Sequence, residues 1–261
     1  MQIFNEKYNM ILTHDLDSYL ACCLLQQYFG WKVQKFYTFN FMYENYLDYD
    51  KEKEDLGVDL TLRQGKCIHN HVERFTPNGE YNKESISPNK HVTMQNYHEK
   101  SSFSTTLFLW AKLSLPLPDD DLGKAILLAI DSCHWGYYDR YRLENYLEEY
   151  GLIELIDLLK KHTKEDFDIL QKKLGLKRDI KLIDRVKYYE FKELNIKQIL
   201  DHLGLQKLEL PLVLKKIQYF EEKETLGDSW FLGNYLKKQD VYSYSIVNYN
   251  RVKWSRPTGN G

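Results

Sequence analysis

Two acidic side chains, Asp15 and Asp17, follow the first apolar segment of this chain, which spans residues 8–12. Two carboxylates in one turn can converge on a hard divalent cation such as Mg²⁺ or Mn²⁺, because such ions prefer oxygen ligands. The same residues can instead cap the helix that follows, since acidic side chains accept hydrogen bonds from the unpaired amides of a first turn. The spacing alone leaves both interpretations open.

Three further apolar segments end in residues that bind metals or activate water. Asp59 follows the segment at residues 57–58, His69 and His71 flank Asn70 after residues 66–68, and Asp131 follows residues 127–130. Histidine beside carboxylates is a common set for binding a transition metal and activating water. Each segment alone is a weak indication, because a His-x-His pair and an Asp-Ser helix end are also common structural features.

Alternating strands and helices must position these residues. The apolar periodicity predicts strands at residues 8–12, 32–39, 58–60 and 66–68, and helices at residues 18–29, 42–54, 104–115 and 120–130. This alternation predicts an α/β fold with a mostly parallel, doubly wound sheet. Ligands of such sheets bind at the carboxyl ends of the strands, so the acidic and histidine segments are expected to meet at one edge.

The second half of the chain has a different pattern. From about residue 138 to 220, Leu, Lys and Glu recur at helical spacing, with breaks at Gly151, Gly175 and Gly204. Residues 241–254 alternate as strands do. We therefore predict a first domain at residues 1–138, a helical connecting region at 139–225, and a small α+β C-terminal domain at 226–261.

Composition restricts the classes of function. A hydrophobic content of 43% predicts a folded protein, and a net charge of -2 excludes an overall basic field for long duplex nucleic acid. A short nucleic acid or nucleotide remains a suitable partner. The four cysteines form no CxxC pair, the N-terminus does not resemble a signal peptide, and no apolar run reaches about 18 residues. A cytoplasmic protein without membrane contact is expected, and a homodimer is left open.

Taken together and in this order, the segments resemble the motifs of the DHH superfamily of phosphoesterases. That superfamily includes RecJ-type exonucleases, nanoRNases, cyclic-dinucleotide phosphodiesterases and family II pyrophosphatases. THDLDSYLACCLL is similar to the first motif and GVDL to the second. IHNHV stands where the family carries Asp-His-His, SSFSTTLFLWAKL is similar to the helix start that follows it, and LLAIDS is similar to the fourth motif. The resemblance covers about residues 8–135.

The resemblance implies a metal-dependent phosphodiesterase or nuclease. Its implied substrates are short oligonucleotides, dinucleotides or related phosphate esters, which metal-activated water would hydrolyse with two Mn²⁺ or Mg²⁺ ions. The implied metal ligands are Asp15, Asp17, Asp59, Asn70 and Asp131. The implied catalytic residues are Asp59, His69 and His71, of which His71 would also face the substrate phosphate.

Two motifs depart from the family pattern. Thr13 stands where the first motif usually has His, with His14 beside it. His69 replaces the Asp of the Asp-His-His motif, and Asn70 replaces its metal-binding His, although Asn is a weaker ligand for a transition metal. These changes motivate an alternative function, in which a catalytically degenerate DHH-fold protein binds a nucleotide, a nucleic acid or a protein partner without turnover.

The last residues, KWSRPTGNG, are similar to the substrate-side (DHHA1-like) segment of the same family. Ser255 and Arg256 are the implied substrate-binding residues, because a guanidinium can bind phosphate through two parallel hydrogen bonds. The family's glycine-rich loop would follow where this sequence stops, so either a reduced substrate side or a shortened chain is expected. A frayed tail is the alternative interpretation.

Two other kinds of site share some of these residues. Haloacid-dehalogenase phosphatases also begin with a strand and an Asp-x-Asp-Ser turn, in which the first Asp, here Asp15, is the nucleophile. A zinc site is a further alternative, although its spacing is not that of a finger or a ribbon. Its ligands would come from Cys67, His69, His71, Cys133 and His134.

Overall fold

The computed structural model describes residue 4 and residues 6–136, 140–183, 188–191 and 194–260. Its internal contacts divide the chain into two compact units. The sheet unit comprises residues 1–13, 31–100 and 210–261, and the helical unit comprises residues 14–30 and 101–209. The predicted domain boundary between residues 138 and 139 lies outside the described residues.

The strands of both units, numbered in chain order, are β1 (Asn9–Leu12), β2 (Lys32–Tyr37), β3 (Phe41–Asn45), β4 (Asp55–Val58), β5 (Lys66–Ile68), β6 (Ser85–Ile86), β7 (Lys181–Ile183), β8 (Tyr188–Glu190), β9 (Leu214–Leu226), β10 (Ser243–Asn248) and β11 (Arg251–Asn260). The sheet unit is built on one nine-stranded sheet, with strand order β10-β11-β9-β3-β2-β1-β4-β5-β6. Strands β7 and β8 form a separate antiparallel pair in the helical unit.

The large sheet is mixed rather than mostly parallel. Strands β2, β1, β4, β5 and β6 run parallel to one another. Strands β3, β9, β11 and β10 continue the sheet with antiparallel pairs. The change of direction begins at the short turn between β2 and β3, because a tight turn can join only antiparallel strands. Fold class is thus α/β, with a mixed sheet and several helices.

The sheet curls, so that its β10 edge meets the segments that follow β4 and β5. Isolated bridges join Leu62 to Ser243 and Val72 to Ile246. The backbone N–H of Tyr244 donates to the carbonyl of Thr61 at 3.2 Å. These contacts bring residues 59–73, which include the four predicted site residues Asp59, His69, Asn70 and His71, next to the C-terminal strands of the same unit.

Eight helices lie in the described parts of the chain. They are α1 (Leu16–Phe29), α2 (Thr105–Lys112), α3 (Asp121–Ala129), α4 (Arg140–Glu149), α5 (Ile153–Lys161), α6 (Lys164–Leu174), α7 (Ile196–Leu203) and α8 (Ser229–Lys237). The predicted stops at Gly30, Gly175 and Gly204 are confirmed as left-handed C-caps. In the described part of the chain, no helix has the length and apolar character needed to cross a membrane.

Two predicted helical stretches are strands instead. Residues 42–54 were expected to form a helix, but residues 41–45 form β3, which pairs with both β2 and β9. The helical region was expected to continue to residue 220, but Leu214–Leu226 is β9, which pairs with β3 and β11. In both cases pairing with distant strands outweighs the local periodicity, because strand preference depends on the neighbouring strands.

Candidate functional site

Asp15 caps helix α1. Its Oδ1 accepts a hydrogen bond from the backbone N–H of Ser18 at 2.8 Å, and its own backbone is extended, as expected of an N-cap. The helix therefore begins at Leu16, two residues before the predicted start. The helix-capping interpretation of the first acidic residue is confirmed, and the carboxylate remains half-buried at the end of the helix.

Asp17 is buried at the start of two helices. Its Oδ2 accepts from the backbone N–H of Thr105 at 2.6 Å, and its Oδ1 accepts from that of Thr106 at 2.8 Å. The Thr106 hydroxyl donates in turn to the backbone carbonyl of Asp17 at 3.0 Å. Because these are the first two amides of α2, Asp17 joins the N-termini of α1 and α2 and helps to satisfy the unpaired donors of α2.

Burial and like charges make Asp17 a weak acid. The pKa of Asp17 is raised to about 8, first by burial, then by the negative charge of Asp131, and to a smaller extent by that of Asp15. Hydrogen bonds from Thr106 lower this pKa, but they do not offset the other effects. The ionised form is therefore disfavoured at neutral pH. Three predicted metal-binding aspartates thus act on one another within the helical unit, and a cation would relieve their repulsion.

Asp131 and Ser132 lie in a kinked turn at the end of α3, and both have left-handed backbone conformations, with φ of 53° and 57°. Gln171 of α6 stabilises this turn. Its buried amide donates to the carbonyl of Ala129 at 2.6 Å and to the Ser132 hydroxyl at 3.0 Å. Asp131 itself is exposed to solvent. Such conformations are sparsely populated by residues other than Gly and persist where the surroundings hold them.

Sequence reasoning missed Gln171, although its position carried a signal. On α6, Phe167 and Leu174 are buried and lie four and three residues from Gln171 on the same helical face. A polar residue within an apolar stripe requires a hydrogen-bonding partner when it is buried. The periodicity could thus have marked Gln171 as a buried polar residue, but not the turn that it holds.

Cys133 and His134, two residues of the alternative zinc set, are packed in the helical unit. Burial is the main cause that raises the pKa of the Cys133 thiol to about 12. Burial also lowers the pKa of His134 to about 4, and its ring stacks on Phe167 with centroids 4.6 Å apart. A protonated thiol is a poor zinc ligand, because zinc binds the thiolate.

In the sheet unit, Asp59 follows β4 and also has a left-handed backbone, with φ of 53°. Its N–H donates to the carbonyl of Ile68 at 2.8 Å, which ties it to the end of β5. Its side chain is 6% exposed. Asp59 and Asp131, one in each unit, are two of the five residues other than Gly with positive φ among those described.

His69 belongs to a fully buried polar group. Its Nε2 lies 3.4 Å from Glu73 Oε1, and Ser85 donates to Glu73 Oε2 at 2.8 Å. Burial opposes a charge on His69, but the neighbouring Cys67 and Glu73 side chains outweigh it and raise its pKa to about 9. The raised pKa favours a charged ring, whereas the His71 backbone N–H, which donates to Nδ1, favours the neutral one. In either state His69 and Glu73 form a buried pair, which sequence reasoning missed.

His71 is half-buried and neutral. Its Nδ1 lies 3.0 Å from the Thr61 hydroxyl, and its backbone N–H donates to His69 Nδ1 at 3.1 Å. Burial lowers its pKa well below the usual value, and the positive charges of His69 and Lys100 lower it further. A neutral imidazole can exchange hydrogen bonds with a substrate, but it brings no positive charge to a phosphate.

Asn70 lies between the two histidines in a segment held by side chains. The Asn89 amide donates to the carbonyl of Asn70 at 2.6 Å, and the Ser87 hydroxyl donates to that of His71 at 3.3 Å. Asn70 itself is 1% exposed. The segment is therefore held at the predicted ligand and at the residue after it. The metal-binding role of Asn70 stays a prediction.

The C-terminal segment is not a frayed tail, because Arg251–Asn260 forms β11 and pairs with β9 and β10. Ser255 is fully buried, and its hydroxyl lies 2.6 Å from the Tyr37 hydroxyl. Arg256 binds Glu221 through Nε at 2.9 Å and Nη2 at 2.7 Å. A substrate phosphate would have to compete with Glu221 for this guanidinium.

The carboxylates of the helical unit fit a divalent cation in their chemistry. Asp15, Asp17 and Asp131 are oxygen donors, and the repulsion that raises the pKa of Asp17 is of the kind that a cation reverses. Within the described residues, however, no group of three or more His, Cys, Asp or Glu side chains is arranged to hold a metal ion. The donor set therefore fits a divalent cation in charge and in ligand type.

Each unit thus contains part of the predicted set. The helical unit contains Asp15, Asp17 and Asp131, and the sheet unit contains Asp59 with residues 69–71. Comparison of the chain with protein-family models, with curated proteins and with solved structures finds no match. The residues themselves are therefore the basis for a functional assignment.

Proposed function

We propose that this chain is a divalent-metal-dependent phosphoesterase whose cation is held by Asp15, Asp17 and Asp131. The observation that carries the proposal is the state of Asp17, a buried carboxyl whose pKa is raised to about 8 by burial and by the charges of Asp131 and Asp15. Helix capping accounts for Asp15, but it gives no reason to place the carboxylate of Asp131 where it acts on Asp17. Perturbed acids of this kind cluster at functional sites.

The residues of the helical unit have distinct parts in this proposal. Asp17 releases its proton when the cation binds, and the amides of Thr105 and Thr106 keep its carboxylate in place. Gln171 holds the turn that presents Asp131. When bound, the cation would polarise a phosphate oxygen and lower the pKa of a water molecule.

The part of the sheet unit in this reaction rests on the DHH resemblance alone. The resemblance makes Asp59 a further metal ligand and His71 a hydrogen-bonding partner of the phosphate. The neutral state of His71 suits such hydrogen bonding. We do not carry over a catalytic role for His69, because its ring is buried in an ion pair with Glu73.

The proposed substrates are short oligonucleotides, dinucleotides or related phosphate esters. A net charge of -2 gives the chain no general attraction for long duplexes. A short substrate instead requires only a local cationic patch.

The proposal is tested by a hydrolysis assay with Mn²⁺ or Mg²⁺ on short RNA and DNA oligonucleotides, linear and cyclic dinucleotides, and pyrophosphate. We expect turnover of at least one nucleotide substrate, abolished by EDTA. Asp59→Asn should lower this turnover by about 100-fold, as the loss of a metal-binding charge does, without unfolding the protein. Asn tolerates the left-handed backbone of position 59, so the substitution changes the charge and not the turn.

Asp240→Asn is the matched control, because Asp240 is an exposed aspartate of the same unit. Its turnover should equal that of the unaltered protein. Full activity in Asp59→Asn would remove the sheet unit's predicted ligand from the proposal. Absence of turnover with every substrate and either metal would contradict the proposed activity as a whole.

Binding without turnover is the second candidate function. It is favoured by the burial of the two residues that replace the Asp and the first His of the Asp-His-His motif. His69 is fully buried beside Glu73, and Asn70 is buried in a segment fixed by Asn89. Tight binding of a nucleotide in the same assay conditions, with no product under either metal, would select this function.

A further inference from the structure

A cavity of about 490 Å³ lies within the helical unit, next to the turn that carries Asp131. Trp135, the last residue of that turn segment, Ile130–Trp135, lines the cavity together with Gln171 of α6. The same Gln171 amide donates to the Ser132 hydroxyl at 3.0 Å. This volume is within the range of about 300–1,000 Å³ that small-molecule sites occupy.

The cavity carries an excess of positive charge. Its cationic lining residues are Lys164, Lys172, Lys177 and Arg178. Asp168 is the one carboxylate among its described lining residues, and it offsets one of these cations, because Lys164 Nζ lies 2.9 Å from Asp168 Oδ2. Since the chain as a whole has a net charge of -2, this local excess distinguishes the cavity from the average surface. Such a site attracts anions with several charges.

Helix stabilisation explains only part of this excess. Lys172 lies in the last turn of α6, where a cation also complements the negative end of the helix dipole. Lys177 and Arg178 lie beyond the C-cap, Gly175, so this effect does not account for them. The backbone N–H of Arg178 donates to the carbonyl of Gly175 at 2.9 Å, which closes a tight turn and keeps both cations at the cavity.

Trp135 adds an aromatic surface to this cationic lining. Its indole is 43% exposed. Lys164 Nζ lies 4.0 Å from a ring centroid of the indole, and Lys177 Nζ lies 5.5 Å away. Cations beside an accessible indole form the combination that binds nucleotides, because the cations attract phosphate and the ring stacks with a base.

We infer that this cavity binds a nucleoside phosphate, with the phosphate on Lys172, Lys177 and Arg178 and the base against Trp135. The inference deepens the proposed function and rests on it in one respect, namely that the bound nucleotide is part of the substrate. It selects nucleotides over pyrophosphate, which has no base. It assigns phosphate recognition to Lys172, Lys177 and Arg178, which lie outside the region of the DHH resemblance, and base recognition to Trp135 at the end of that region.

Binding is tested by calorimetric titration of the full chain with AMP, ribose 5-phosphate and inorganic phosphate, in EDTA and at low salt. AMP should bind most tightly. Lys177→Gln and Arg178→Gln should each weaken AMP binding by about tenfold, the usual effect of losing a charged hydrogen-bonding partner. Trp135→Leu should weaken the binding of AMP but not that of ribose 5-phosphate. Lys161→Gln, which changes an exposed lysine of α5 in the same unit, is the control and should bind AMP normally.

The outcomes separate this inference from the proposed function. AMP affinity that is equal in Lys177→Gln and in Lys161→Gln, or no greater than that of inorganic phosphate, would overturn it. Absence of AMP binding by the unaltered protein would also overturn it, whatever the hydrolysis assay gives. The expected binding pattern without hydrolysis in any divalent metal would support the cavity and contradict only the proposed catalysis.

Discussion

Asp131→Asn is expected to lower metal-dependent phosphoester hydrolysis by about 100-fold, a typical effect of weakening a metal site. Asp131 is exposed, and Asn accepts its left-handed backbone, so the substitution removes one charge without a change of shape. Removal of that charge also removes the second-largest cause of the raised pKa of Asp17. Initial rates at a Mn²⁺ concentration that does not saturate the variant, with thermal unfolding recorded for each protein, measure this effect.

Asp157→Asn is the control for this experiment, since Asp157 is an exposed aspartate on α5 of the same unit. It should hydrolyse substrate at the normal rate. Equal rates in Asp131→Asn and Asp157→Asn would show that the carboxylate at position 131 takes no part in the reaction. If only Asp131→Asn has a lower unfolding temperature, its loss of activity would be explained by destabilisation of the turn rather than by weaker metal binding.

Glu73→Gln is expected to lower the free energy of unfolding by about 3 kcal/mol near pH 6, where the raised pKa of His69 favours the charged ring, because it leaves that buried charge without its partner. His69 is fully buried, and Glu73 is the carboxylate 3.4 Å from its Nε2. Gln retains an oxygen that can accept from the Ser85 hydroxyl, so most of the loss should come from the ion pair. Urea unfolding monitored by fluorescence measures the difference.

The pH dependence of this loss follows from the raised pKa of His69. The folded-state pKa of about 9 is above the ordinary value of 6.5, so the ion pair contributes its full stability below pH 6.5. This stability is lost as the pH rises through about 9, where His69 deprotonates. The difference between the unaltered protein and Glu73→Gln should therefore shrink above pH 9. Glu84→Gln, at a nearby exposed position, should show no such trend. A difference that stays constant from pH 6 to pH 10 would contradict the buried ion pair.

Elements that depend on neighbouring residues, such as a short apolar strand or a helix stop at Gly, were predicted correctly from the sequence. Strand β5 spans the predicted residues 66–68, and helix α1 ends at the predicted Gly30. The strands β3 and β9 were not predicted, because they form through pairing with each other and with strands far away in the chain. The mixed character of the sheet follows from the same pairs, which no periodicity encodes.

For the site, spacing identified the residues but not their partners. The pair Asp15 and Asp17 stands out in the sequence, yet the amides that bind Asp17 come from residues 88 and 89 positions further along. Gln171 acts on a turn 39 residues away. Glu73 lies four residues from His69, but only burial turns that spacing into an ion pair. The sequence shows which residues carry carboxylate or imidazole groups, whereas the burial that shifts the pKa values of these groups depends on tertiary packing.

Asp59 and Asp131 stand out both in the sequence and in the backbone of the structure. Both were predicted as metal ligands from the residues that precede them, and both have φ of 53°. Left-handed backbone at residues other than Gly is often found where function requires a strained position. Neither substitution to Asn relieves this conformation, so both variants isolate the effect of charge.

The most direct test of a metal site at Asp15, Asp17 and Asp131 is a titration of Mn²⁺ into the metal-free protein, with free Mn²⁺ measured by electron paramagnetic resonance between pH 6 and pH 9. Since the pKa of Asp17 is about 8, protons compete with the ion below that pH. The affinity should therefore rise with pH and level off above about pH 8, and it should be much weaker in Asp131→Asn than in Asp157→Asn. An affinity that is the same at every pH and unaffected by Asp131→Asn would contradict a metal site at Asp15, Asp17 and Asp131.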